Sequence, residues 1–162
     1  MPNKAPKPQF PKGQLAKMTP QKLHLLIGEI TSLMLVSKVH RQYQVRDIAD
    51  IILPAINLGQ YRIYRNKKRE PIALVTWAML SAEVEKQYIG GKMVLSEKER
   101  TSGDSLYFTD FIAPYGHMKQ VKQDIETNLF PNSAGKSLRF VEGKKEPKLL
   151  KFHGVNYRKP MN

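Results

Sequence analysis

The chain contains no cysteine, which excludes disulfide frameworks, thiolate zinc sites and cysteine nucleophiles and fits a reducing cytoplasm. Long apolar runs are missing too. The most hydrophobic stretch, Leu23 to Val36, is interrupted by His24 and Glu29 and is too short to span a bilayer, so no stable membrane insertion is expected. The N-terminus has neither the apolar core nor the small-residue cleavage pattern of a secretory signal. There is no G-x-S-x-G elbow, Walker loop or dinucleotide fingerprint, which removes the common hydrolase, nucleotide-binding and Rossmann readings. No pair among the four histidines has metal-ligand spacing with a nearby carboxylate, so no metal is expected.

Acidic residues are scarce: 14 Asp and Glu stand against 27 Lys and Arg, a formal net charge of +13. Such a surface attracts an acidic partner, whether nucleic acid, an anionic membrane or an acidic protein. Residues 1–18 hold Pro2, Pro6, Pro8 and Pro11 among Lys4, Lys7, Lys12 and Lys17, with no acidic residue, and read as a flexible basic tail. At 162 residues in all, the remainder, residues 19–162, fits one domain.

Thr19 reads as an N-cap with Pro20 at the first helical position, and Leu23, Leu26, Ile27, Ile30, Leu33 and Met34 recur at helical spacing. A shorter helix through Val45, Ile48, Ala49 and Ile52 is predicted to end at Pro54. His40 lies between the two. Gln60 to Arg65 and Ile72 to Met79 read as a hairpin around a basic turn, and Ser81 as the cap of a helix stopped by Gly90-Gly91. After a polar stretch from Ser96 to Asp104 come a strand from Leu106 to Ala113 and a helix with Met118, Val121, Ile125 and Leu129 on one face. Two strands, Ser137 to Glu142 and Leu149 to His153, close the order. This pattern predicts a mixed α/β (α+β) layout around a largely antiparallel sheet flanked by helices.

Strict alternation along the Leu106 strand places Asp110 on the face of Leu106, Phe108 and Ile112, where a lone carboxylate needs a cationic or hydrogen-bonding partner. The ordinary explanation is a salt-bridged Asp at a sheet edge. His40, just past an apolar helix, is expected to be exposed and held by a rigid element, as a base would be; a surface residue or helix cap is the ordinary alternative. The aromatics Tyr61, Tyr64, Trp77, Tyr107, Phe108, Phe111 and Tyr115 could stack bases, but most stand at core positions, so nucleic acid is the less favoured partner.

Ser102-Gly103-Asp104 followed by Tyr107, Asp110 and Ile112-Ala113-Pro114-Tyr115-Gly116 resembles the most characteristic stretch of the RTX toxin-activating lysine acyltransferases. Ser37 with His40-Arg41 is similar to that family's Ser-x-x-His-Arg segment, followed by Leu53-Pro54-Ala55-Ile56 and Gln60-Tyr61. Pro71, Ala73, Trp77, Phe130-Pro131, Arg139 and Phe152-His153-Gly154 match further landmarks in order, whereas Ile51 stands where some relatives carry Asn. The resemblance implies a fold like that of the GCN5-type N-acetyltransferases and a bacterial cytoplasmic enzyme without a cofactor. It implies acyl-acyl carrier protein as donor, lysine ε-amino groups of an RTX protoxin as acceptor, and a homodimer as one arrangement. It also implies His40 and Asp110 as the catalytic pair, with Ser37, Pro114, Tyr115, Gly116 and Arg139 as substrate-binding residues. Asp110 would then orient the His40 ring, which accounts for a carboxylate on an apolar strand.

Overall fold

A computed structural model describes residues 18–140 and 143–158. The predicted tail, apart from Met18, lies outside the described residues, as do the last two positions of the strand predicted over 137–142. Helix α1 (Pro20–Val36) begins as the sequence indicates, with the Thr19 hydroxyl accepting from the Lys22 amide and Pro20 where no amide is needed. Its buried side chains Leu26, Ile30, Leu33 and Met34 pack on Ile52, Ile56, Leu74 and Ile112.

After α1 a single 3-10 turn (His40–Gln42) leads into α2 (Val45–Asp47), a π-helical turn (Ile48–Ile52) and α3 (Leu53–Asn57). Pro54 was predicted to end this helix; instead it stands in the first turn of α3. The wide π turn before it interrupts the i to i−4 ladder, so the missing amide and the ring of proline meet no preceding carbonyl.

The sheet runs β1 (Tyr61–Arg65), β2 (Pro71–Leu80), β3 (Ser105–Ile112), β4 (Ala134–Arg139) and β5 (Lys148–His153), in chain order. All neighbours are antiparallel except β3 and β4. Helix α4 (Ala82–Ile89), capped by Ser81, and α5 (Glu97–Arg100) join β2 to β3, while α6 (Met118–Asp124) and a π turn (Ile125–Leu129) form the parallel crossover. This mainly antiparallel sheet flanked by helices is the predicted layout and is consistent with a GCN5-type N-acetyltransferase-like fold.

Two further elements differ from expectation. The polar stretch from Ser96 to Asp104 contains α5, held by a capping box in which Ser96 and Glu99 bond each other's amides at 3.2 and 2.8 Å. The β4 strand starts at Ala134, three residues before the predicted position, because Gly135 is required there. A Cβ on Gly135 would stand 2.7 Å from the Phe108 ring, so a residue with weak strand preference is the one that fits.

One face of the sheet buries Ala73, Val75, Trp77, Met79, Leu106, Phe108 and Phe152 against Val121, Ile125, Leu129 and Phe130. The other carries two separate apolar groups. Leu74 and Ile112 meet α1, and Ala78, Leu80 and Tyr107 meet Tyr88 and Leu95. No helix among the described residues is long and apolar enough to cross a membrane.

Candidate active site

The pairing of β2 with β3 shifts register at one point. Thr76 faces Asp110 while the next residue, Trp77, faces Phe108, leaving Thr109 as the extra residue of a β-bulge. A single inserted residue exchanges the faces of everything beyond it. The prediction that Asp110 shares a face with Leu106 and Phe108 is therefore corrected: Asp110 turns to the opposite side with Thr76 and Ile112, into the gap between the α1 and α4 groups. Strict alternation cannot register a bulge, which is why the sequence pattern misplaced it.

His40 reaches this gap from the α1 side. Ser37 caps α1 through its amide, which donates to the Leu33 and Met34 carbonyls, and the Arg41 amide returns to the Ser37 carbonyl at 3.0 Å. This tight turn brings the Ser37 hydroxyl within 2.8 Å of His40 Nδ1. The other ring nitrogen, Nε2, stands 3.9 Å from Asp110 Oδ1. That separation is an ion-pair distance longer than a hydrogen bond, and contacts of this kind tighten when substrate closes a site. Because a carboxylate only accepts, the nitrogen turned toward Asp110 carries the hydrogen, and Nδ1 accepts from Ser37.

Asp110 is held on both oxygens. Thr76 Oγ1 donates to Oδ2 at 2.7 Å and accepts from the Asp110 amide at 3.0 Å, while the Tyr43 hydroxyl lies 3.4 Å from Oδ1. The Tyr43 and His40 rings are tilted against each other at 5.2 Å. Burial, followed by the Asp110 charge, pushes the Tyr43 hydroxyl well above its ordinary range, so it stays a donor. For His40 burial is the larger influence and lowers its pKa from the ordinary 6.5, opposed by the attraction of Asp110. The imidazole was expected to be exposed; its side chain is 11% accessible and that of Asp110 2%, so the site is more enclosed than the sequence suggested.

The structure thus brings Ser37, His40 and Asp110 together. Pro114, Tyr115 and Gly116 form the turn after β3, with Tyr115 exposed and Gly116 at φ 87°, and none of them bonds to the three. Arg139 ends β4, exposed, and likewise makes no bond to them. Strands β3 and β4 pair only from Leu106–Gly135 to Phe108–Ser137 and then part, leaving a wedge in the sheet beside the bulge. The Ser102-Gly103 landmark is structural. The Ser102 hydroxyl accepts from the Ser81 amide at 2.9 Å and donates to the Glu99 carbonyl at 2.7 Å, and a Cβ on Gly103 would lie 2.5 Å from Leu80 and Ser81 backbone. Tyr43 and Thr76 escaped the sequence reading, since one aromatic and one strand threonine carry no spacing signal. No group of three His, Asp or Glu side chains converges as metal ligands would among the described residues.

The basic residues divide into two sets. Arg62 pairs with Asp124 at 2.8 Å, Arg65 with Glu29 at 2.6 Å and Lys122 with Glu126 at 2.5 Å. Lys67, Lys68 and Arg69 in the β1–β2 turn, and Lys119, are exposed and have no ion pair among the described residues.

Comparison with known proteins places this geometry in context. The model of the RTX toxin acyltransferase family matches residues 18–153. The chain is 31% identical to the lysine-acyltransferase RtxC of Vibrio cholerae over 81% of this chain and 86% of that one. It is 34% identical to the leukotoxin-activating lysine-acyltransferase LtxC of Aggregatibacter actinomycetemcomitans, over 80% and 76% of the two chains. An uncharacterized Synechocystis protein, sll0720, is 44% identical over 74% of this chain and 83% of its own length.

Proposed function

Since the chain belongs to the RTX toxin acyltransferase family, we propose that it transfers a fatty acyl group from acyl-acyl carrier protein to lysine ε-amino groups of an RTX protoxin. The observation that carries the reading is the imidazole of His40, bonded at Nδ1 to Ser37 and facing Asp110 with Nε2. Lysine, with a pKa of about 10.4, is almost wholly protonated at neutral pH, so it gives one proton to solvent to become a nucleophile and must shed a second to become an amide nitrogen. A neutral imidazole is suited to accept it. The basic nitrogen is Nδ1, so the proton arrives on the Ser37 side of the ring, while Asp110 steadies the imidazolium through Nε2.

The neutral amine attacks the thioester carbonyl, the C–S bond breaks, and this second proton, taken by His40, passes to the departing thiolate. Amide and thiol are the products. In this reading backbone amides near the Pro114–Gly116 turn meet the developing oxyanion. The exposed cations of the β1–β2 turn and Lys119 suit docking of an acidic carrier protein.

His40→Ala is expected to lower transfer of labelled acyl groups to protoxin lysines by at least about a hundredfold while the protein stays folded. Transfer at the wild-type rate would overturn the assignment. The short Ser37–His40 bond also favours a second route, in which Ser37 Oγ first accepts the acyl group. Mixing the protein with acyl donor alone and finding an ester on Ser37 would establish it; an unmodified chain leaves direct transfer.

A further inference from the structure

Behind Asp110 lies a charged side chain with no carboxylate within salt-bridge distance among the described residues. Arg100, the last residue of α5, is 1% exposed and is absent from every ion pair described. A buried guanidinium without a counter-ion is costly, so its surroundings need an explanation. Its bonds all go to neutral acceptors: the Trp77 carbonyl at 2.9 Å, Thr109 Oγ1 at 3.1 Å and Gln60 Oε1 at 3.2 Å. Gln60 is itself buried and donates back to the Arg100 carbonyl at 3.0 Å.

Thr109 is the bulge residue, and its hydroxyl lies 2.8 Å from Thr76 Oγ1, which bonds Asp110 Oδ2 at 2.7 Å. An unbroken chain of polar contacts therefore runs from Arg100 through Thr109 and Thr76 to Asp110, ending on the oxygen that does not face His40. Since the guanidinium only donates, Thr109 accepts from Arg100 and gives its own hydrogen to Thr76, whose hydrogen goes to Asp110. Every hydroxyl in the chain is thereby oriented. The bulge that turns Asp110 toward His40 is also what places a hydroxyl before Arg100.

We propose that Arg100 is a positioning residue of the site, a buried positive charge that balances Asp110 from behind and, through Thr109 and Thr76, fixes the carboxylate so that Oδ1 is left for His40. This role rests on the proposed acyl transfer by His40 and Asp110. Arg100 touches no substrate, and its effect is exerted on the titration of His40. The titratable groups facing Asp110 are His40 and Tyr43 from the turn after α1, Tyr88 from α4 and Arg100 from α5. Arg100 is the only one of these four that is a cation at all working pH values. It repels a proton on His40 and weakens the hold of Asp110 on that proton. Removing its charge leaves the carboxylate unbalanced, so the imidazole should hold its proton more firmly.

The test follows His40 by its imidazole NMR titration in the full-length protein, with the acid limb of kcat for acyl transfer measured alongside. Arg100→Gln keeps an amide donor and removes the charge; the His40 midpoint should rise by about half a unit or more. Arg100→Lys, which restores the charge, should return it toward the wild-type value. A midpoint unmoved in Arg100→Gln, or moved equally in both variants, overturns the proposal. Should Arg100→Gln not fold, Thr109→Val cuts the chain of contacts at similar volume and should lower kcat severalfold with KM unchanged, and a wild-type kcat would overturn it. Failure of the acyl-transfer reading looks different: His40→Ala would remain active, whatever the NMR titration shows.

Discussion

On the α6 side of the sheet, Phe130 meets Trp77 and Phe108 edge-on at 5.3 and 5.8 Å, inside one unbroken apolar layer. On the α1 and α4 side, two smaller apolar groups are separated by Thr76 and Asp110, with Tyr43 and His40 closing the gap from outside. The same two strands supply both faces. The difference teaches that stability and chemistry are divided across the sheet, the first face holding the strands in place and the second using that rigidity to keep a carboxylate in a narrow seam.

Paired substitutions on the two faces should separate these roles. Asp110→Asn is expected to lower kcat by about 10²–10⁴-fold while the chain stays folded, at some cost in stability because Arg100 loses the charge that balances it. Phe108→Ala should cost about 3–5 kcal/mol in denaturant unfolding, through lost burial and the cavity left under Gly135. The division fails if Asp110→Asn unfolds the chain or if Phe108→Ala leaves its stability intact. Next in size is Thr76→Val, nearly isosteric, which strips the seam of the hydroxyl that bonds the Asp110 amide, its Oδ2 and Thr109. It should cost about 1–3 kcal/mol and lower kcat about tenfold by releasing the carboxylate. Loss of stability without loss of kcat would mean that Asp110 is oriented by other groups.

Most of the α6 face could be read from the sequence, and the seam could not. Helical spacing of Val121, Ile125 and Leu129 and the aromatic run of β3 are periodic signals, and hydrophobic burial answers to periodicity. The seam depends on the Thr109 bulge, on a π turn that carries the chain past Pro54, and on Arg100 buried at the end of a one-turn helix. Each departs from a regular period by one residue or one turn, and the polar contacts of the seam join residues 9 to 67 positions apart in sequence. His40 and Asp110 stood out because their residue types suit proton transfer. Thr76, Tyr43 and Arg100 did not, since such residues more often serve as ordinary strand, core or surface groups.

The smallest expected effect concerns the pH at which the seam changes charge. His40 accepts a proton only when neutral, and burial disfavours its charged form more than Asp110 favours it. The acid limb of kcat should therefore have its midpoint below 6.5, the ordinary value for imidazole. The same sign governs stability. An unfolded chain binds the proton at the ordinary pKa and the folded chain only at lower pH, so stability is fully present above 6.5 and falls as pH drops through the folded value. Asp110→Asn removes the opposing attraction and should carry the His40 midpoint lower still, whereas Phe108→Ala, on the other face, should leave it unchanged. A wild-type midpoint above 6.5 in an imidazole NMR titration would show that the carboxylate outweighs burial, and that the seam holds His40 as a cation where the proposed mechanism needs a base.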